Sequence, residues 1–307
     1  MGGLMTDGQA MTMPVTERRL AGTEELDLLS TPDLVRLMTA QDRTVPDAMA
    51  EVAIEIAAAV DAISDRMRRG GRLIYLGAGS AGRIGTLDAS EIPPTFGVGP
   101  DLVRALIAGG PGALISAVEA AEDSAEMAVA DLTAIALTEL DSVVGLSASG
   151  TTPYTVGGVR HARGLGALTV GVACNSGTPL AAAAEIGIEV VVGPELLAGS
   201  TRLKAGTAQK LVCNTLSTLV MIRLGRTYGN LMVHMNATNK KLYARAHRLV
   251  ELITGRGELE VDTALRAAQG SVPVAVLVLQ LGVDAATART RLAAAGGSLR
   301  DALRTAA

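Results

Sequence analysis

Five short apolar runs follow one another between Arg72 and Gly193: "RLIYLG", "LVRALIAGG", "SVVGLSASG", "ALTVGVACN" and "IGIEVVVG". They are nearly continuous in Val, Ile, Leu and Ala rather than alternating, which is the pattern of strands covered on both faces in a parallel sheet. Between them lie segments with apolar residues at helical spacing, notably "GALISAVEAAEDSAEMAVADLTAI" and "PYTVGGVRHARGL". The alternation predicts an α/β sandwich around about five parallel strands. Upstream, "TPDLVRLMTAQD" sets Pro32 at the start of a helix behind a Thr31 cap, and "PDAMAEVAIEIAAAVDAISDRMRR" continues the helical pattern, so two helices are expected before the first strand. Downstream, "KAGTAQKLVCNTLSTLVMIRLG" and "NATNKKLYARAHRLVELITG" read as long helices ended by Gly255 and Gly257, and the tail holds three short amphipathic pieces. The expected division is a leader over 1–15, an α/β domain over 16–255 and a small helical C-terminal domain over 256–307.

Composition narrows the function classes. The 307 residues are 49% hydrophobic but only 2% aromatic, with no Trp and a single Phe, Phe96, so little aromatic surface exists for stacking bases. A net charge of -4 lacks the basic excess of a nucleic-acid binder, so an anionic ligand should be small and locally held. Two cysteines, Cys174 and Cys213, and three histidines, His161, His234 and His247, show no metal-ligand spacing, and a disulfide framework is not expected. The start, "MGGLMTDGQAMTMP", lacks the charged and apolar regions of a signal peptide, and the longest apolar run, Val272 to Val283, is too short to span a membrane. A cytoplasmic location is the expectation.

"GAGSAGRIGTLDASEIPPTFG" carries the first chemical signal. Gly77, Gly79 and Gly82 match a dinucleotide fingerprint, yet Pro93 and Pro94 interrupt the helix that such a site needs, and no second strand ending in an acid follows at the required distance. The alternative is a phosphate monoester held by backbone N–H groups and the Ser80 hydroxyl at a helix N-terminus. "SASGTT" offers Ser147, Ser149, Thr151 and Thr152 in a second loop of the same kind; such residues also cap helices, and the loops alone do not choose between the two roles. Glu91 precedes Ile-Pro-Pro and is therefore expected at a helix end or in a loop rather than inside a continuing helix. Glu119, Glu122 and Glu126 are spaced to share one helical face, which ordinarily means a solvated one. Ser200, Thr201, Arg202 and Lys204 gather ahead of a long helix, as anion ligands or as an ordinary capped start. His234, Asn236 and Asn239 lie together with no nucleophile nearby, which disfavours a catalytic triad.

Taken together, "GGRLIYLGAGSAGRIGTLDASEIPPTFG", "LIAGGPGALISAVEAAEDS", "GLSASGTTPY", "GPELLAGSTRLKAGTAQKLVCNTLST" and "YGNLMVHMNATNKKL" resemble the N-acetylmuramic acid 6-phosphate etherases, in order from about Val15 to the C-terminus. The resemblance implies a three-layer α/β/α sandwich of the SIS (sugar isomerase) type with a five-stranded parallel sheet, followed by a small helical domain. It also implies a homodimer acting as a carbon-oxygen lyase in cell-wall sugar recycling, without metal or redox cofactor. By that resemblance Glu122 carries over as the base at C2 of the sugar and Glu91 as the acid that assists lactate departure. Gly79, Ser80, Gly82, Ser147, Ser149, Thr151, Ser200 and Lys204 carry over as substrate-binding positions. The chain departs from the family's usual pattern at Ala81, where a Ser is common, and at Thr151, where an Arg is common. A sugar-phosphate isomerase and a non-catalytic sugar-phosphate sensor are the competing readings. Retention of both glutamates favours the etherase, because binding alone needs neither an acid nor a base.

Overall fold

The structure, a computed structural model, describes residues 13–116, 118, 120–235 and 240–304. Most of the expected leader, and with it Glu119, Asn236 and Asn239, lies outside the described residues. Three helices rather than two precede the first strand: α1 (Thr31–Asp42), α2 (Thr44–Ala50) and α3 (Ala53–Arg68). Pro46 has no N–H to give to the Asp42 carbonyl, so the helical ladder breaks there. Ser30, not Thr31, caps α1, accepting from the Asp33 N–H, with Pro32 in the first turn.

All five apolar runs are strands: β1 (Leu73–Gly77), β2 (Val103–Ile107), β3 (Ser142–Leu146), β4 (Leu168–Ala173) and β5 (Ile186–Glu189). They form one sheet in the order β2-β1-β3-β4-β5, and every pair is parallel. The inner strands β1, β3 and β4 are buried along their whole length, while the edges β2 and β5 are partly open, which accounts for the Arg104 and Glu189 side chains tolerated there. Helix α4 (Gly79–Phe96) follows β1, α5 (Ala125–Ala134) precedes β3, α6 (Pro153–Gly164) follows it, and the short α7 (Pro179–Ala183) precedes β5. Ile74, Leu76 and Val143 point to the face covered by α5 and α6, where Ala128, Leu132, Tyr154 and Ala162 complete a core. Tyr75 points the other way, and its hydroxyl lies 2.8 Å from Asp88 of α4 and 3.2 Å from the Cys213 carbonyl of α8 (Lys204–Arg223). Helices on both faces make the three-layer α/β/α sandwich.

Two segments depart from the sequence reading. The stretch from Gly112 to Ile135 is not one helix: short 3-10 turns at Pro111–Leu114 and Ala121–Asp123 come first, and α5 starts only behind Ser124, whose hydroxyl accepts from the Met127 N–H. Ala120, at φ 59, is left-handed and cannot belong to a helix, so Glu122 and Glu126 do not share a helical face. Conversely, α4 runs through Pro93 and Pro94 to Phe96, and Glu91 sits within it. The prolines fall in the last turn, where their fixed φ is already helical, and Gly97 closes the end by donating its N–H to the Pro93 carbonyl at 2.9 Å.

The chain forms two compact units, one through Ala89 together with Asp101–Leu216, the other Ser90–Pro100 together with Ser217–Ala307. The second unit is predominantly helical: α9 (Lys240–Thr254), α10 (Glu258–Ala267), α11 (Val272–Leu281), α12 (Ala285–Ala294) and α13 (Leu299–Arg304), the last not expected from the sequence. Its core joins Val261, Leu265, Val272, Val276, Leu277 and Leu299 to Val233, Ala246 and Val250 from ahead of the Gly255 break.

At the opposite end of the sheet from the loops described below, Arg72 and Asp141 staple the starts of β1 and β3. Asp141 is 1% exposed and accepts from the Arg72 backbone N–H at 2.8 Å, from Arg72 Nε at 3.0 Å and Nη2 at 2.7 Å, and from the Thr138 N–H at 2.8 Å. Burial opposes its ionisation, but these donors together hold its carboxyl below the usual range. A carboxylate depressed in the folded state stabilises the fold above its unfolded pKa, and that contribution is lost as the pH falls through the folded value. Asp141→Asn should therefore cost about 3 kcal/mol at neutral pH, and its urea stability should decline less than the wild type's as the pH falls below about 4.

Candidate active site

In the order β2-β1-β3, the chain leaves β1 toward one side of the sheet and returns as β3 on the other. Between the carboxyl ends of two such strands a crevice opens, and ligands of open α/β sheets bind there. Here the crevice is a cleft of about 360 Å³ built entirely from the first unit. The loop after β1 supplies Ala78, Gly79, Ser80 and Ala81 at the start of α4, and the loop after β3 supplies Ser147, Ser149, Thr151 and Thr152 at the start of α6. Two helix N-termini thus face one space, each with unpaired N–H groups and the positive end of its dipole.

Local chemistry explains why these loops take their shape. Gly79 is left-handed at φ 51, a conformation that glycine adopts without strain. Ser147, 3% exposed, is the hub of the second loop: its hydroxyl lies 2.8 Å from Thr152 Oγ1 and 3.2 Å from Ser149 Oγ, and it accepts from the Gly150 N–H at 3.1 Å. Thr151 donates its hydroxyl to Ser149 at 2.9 Å. Arg83 is directed elsewhere, donating to the Ala113 carbonyl at 2.8 Å and the Leu114 carbonyl at 3.2 Å.

Acids occupy the rest of the wall. Glu122 and Asp123 line the cleft from the 3-10 turn ahead of α5, and Glu17 lines it from the N-terminal segment. That segment is stitched down by Thr16, whose N–H donates to Asn175 Oδ1 at 3.2 Å while Asn175 Nδ2 donates to Thr16 Oγ1 at 3.0 Å. Thr201 and Gln209 complete the lining. Among the described residues that line it there is no lysine, arginine or histidine, so an anion must be held by N–H groups and hydroxyls.

Of the positions singled out in the sequence, the cleft brings together Gly79, Ser80, Ser147, Ser149, Thr151, Thr152, Thr201 and Glu122. Gly82, Ser200 and Lys204 are not in its lining. Lys204 is buried, with Nζ donating to Gln41 Oε1 at 2.9 Å, and burial pulls its pKa down against the opposing charges of Glu195 and Asp42. Glu91 is exposed and belongs to the second unit. There the turn that follows it meets the other motif of note: a side chain at Gly97 would collide with the His234 carbonyl oxygen, and Gly97 is left-handed at φ 60. His234 is held neutral, its pKa lowered to about 4 by burial and by Arg226. Glu17, Asp123 and Gln209 also line the cleft and were not singled out in the sequence.

A parallel sandwich with a cleft at its switch point defines the class, and residues 55–163 match the family described as Glucokinase regulatory protein N-terminal SIS domain. Over 279 residues the chain is 62% identical to the N-acetylmuramic acid 6-phosphate etherase of Streptomyces coelicolor, covering 91% of this chain and 90% of that protein. Over 288 residues it is 54% identical to that of Mycolicibacterium smegmatis, covering 94% and 97%. Among solved structures, a phosphoheptose isomerase from Francisella tularensis aligns with a TM-score of 0.49 at 18% identity, over 62% of this chain and 98% of that one. The chain belongs to the N-acetylmuramic acid 6-phosphate etherase family.

Ser147→Ala removes a hub that three partners use. It should destabilise the protein by about 1 to 2 kcal/mol, seen as a drop in thermal midpoint of a few degrees, whereas Ser149→Ala, at a half-exposed position, should lower it less.

Proposed function

We propose that the cleft binds N-acetylmuramic acid 6-phosphate and that the protein cleaves its D-lactyl ether with water, giving N-acetylglucosamine 6-phosphate and D-lactate. The observation that carries this reading is the meeting, in one cleft, of two helix N-termini dressed with hydroxyls and the carboxylate of Glu122. The N–H groups near Ser80 and the hydroxyls of Ser147, Ser149 and Thr151 take the phosphate, which needs no cation because both helix dipoles favour an anion there. Glu122 removes the C2 proton from the open-chain sugar, and the electron pair of that C–H bond becomes an enolate on the C1 carbonyl. Collapse of the enolate forms the C2–C3 double bond and breaks the C3–O bond, and the departing lactate oxygen takes a proton from Glu91. Water then adds at C3 and a proton returns to C2, so the sum is one ether and one water giving two alcohols.

Each glutamate role rests on the family resemblance at its motif, as do a homodimer as the working assembly and the cytoplasm as its location. None of the described helices is by itself long and apolar enough to cross a membrane. Ala81 lines the cleft at the position where relatives commonly carry a hydroxyl, so phosphate affinity here leans on Ser80 and the second loop.

The test is turnover of N-acetylmuramic acid 6-phosphate in oxygen-18 water, with D-lactate and the position of the label measured. Label at C3 is expected, together with a loss of at least about a hundredfold in lactate release for Glu122→Gln and for Glu91→Gln. A folded protein that binds the sugar phosphate and frees no lactate would sink the etherase reading in favour of the sensor.

A further inference from the structure

Gln209 lines the cleft from α8, is 1% exposed, and its Nε2 has no hydrogen-bond partner. A buried amide donor without a partner is costly in a free protein, and native chains retain few of them. The helix that carries it is fixed on both sides. Ahead of Gln209, the fully buried Glu195 accepts from the N–H groups of Lys204 at 3.0 Å and Ala205 at 2.9 Å. Beyond it, Asn214 donates to Asp88 at 2.6 Å and the Cys213 carbonyl meets the Tyr75 hydroxyl. The amide is therefore held in place without being used by the fold.

Resting on the function proposed above, we infer that Gln209 is a catalytic residue whose side-chain amide donates to the C1 oxygen of the bound open-chain sugar and carries the charge that gathers there as Glu122 takes the C2 proton. Most of the other polar side chains of the wall are poorly suited to that task. Glu17, Glu122 and Asp123 are acids, which as carboxylates only accept, and the hydroxyls of Ser147, Ser149, Thr151 and Thr152 are engaged with one another in the phosphate loop. The amide nitrogen can only donate and adds no charge to the resting cleft, and a donor already in position acts without reorganisation as the enolate forms.

Gln209→Met, near in shape and without a donor, separates this role from a structural one. Three measurements on the full-length variant decide it: thermal midpoint, binding of the borohydride-reduced substrate, which keeps the phosphate and lacks the C1 carbonyl, and the steady-state constants for lactate release. The expected result is a midpoint equal to or above the wild type's, reduced-sugar binding within about threefold, and kcat lower by on the order of a hundredfold with KM little changed. Exchange of the C2 proton with deuterium oxide should slow in parallel. A midpoint several degrees lower with kcat retained would assign the amide to the fold. Binding of the reduced sugar weakened as much as kcat would place the contact on the phosphate end. Either outcome overturns the inference while leaving the etherase reading intact; a wild type that frees no lactate removes the reading itself.

Discussion

The approach of α4 to the end of β1 is the constraint from which the cleft follows. A Cβ on Gly77 would come within 2.9 Å of the Gly82 nitrogen and 3.1 Å of the Leu146 oxygen, and one on Gly82 within 2.7 Å of the Gly77 oxygen and 2.6 Å of Ile107. Real Cβ atoms do not sit that close, so only two glycines let the first turn of the helix settle between β2, β1 and β3 at the switch point. The left-handed Gly79 makes the sharp exit from strand to helix possible. With that turn set, Ser80 and Ala81 face the cleft, and Gly82, which lies against the strand instead, serves the site by packing. This is the same physical use of glycine that a dinucleotide site makes, which is why the two patterns look alike at the level of three glycines.

A cleft walled by three acids yet proposed to take a phosphate dianion looks contradictory until the sources of positive potential are counted. It comes from the two helix N-termini, and their effect falls off within a turn. Glu122 and Asp123 sit on a separate 3-10 turn, and Glu17 on a separate segment. A ligand with an anion at one end and a proton to surrender at the other matches such a division, because each end meets the group its chemistry needs. A lysine in the wall would bind phosphate more strongly but would also bias a nearby carboxylate away from proton transfer. Lys204, which with Arg202 was a cation the sequence offered here, is instead spent within the fold on Gln41.

What the sequence made legible was what depends on pattern and spacing. Continuous apolar runs bounded by Gly announced every strand, because β1, β3 and β4 are covered on both faces and need no polar positions. The region from Gly112 to Ile135 was misread as one helix because its Ala and Glu content is helix-prone, whereas the turn at Ala120 is imposed by tertiary context. Pro93 and Pro94 were read as a break because proline removes a backbone donor and crowds the preceding turn; the helix bears that for its last turn only and ends at Gly97. Glu17 and Gln209 were illegible for a different reason. Neither sits in a distinctive local pattern, and only the folding of distant segments onto one crevice brings them to the site.

Not every unpaired buried group carries the same weight. In the first unit, Ser142 Oγ and Thr155 Oγ1 also lack partners, but both are fully buried away from the cleft, on β3 and α6. A hydroxyl rotates about one bond and can turn toward whatever weak acceptor is near. Gln209 differs in its place: it lines the cleft, where a ligand can meet its amide. Selection for stability alone would have replaced Gln209 with an apolar residue of the same shape, because such a replacement is neutral or stabilising when no partner is lost. That an unsatisfied amide persists where the cleft is walled by acids argues that the ligand satisfies it, and that some stability has been given up for chemistry at this position.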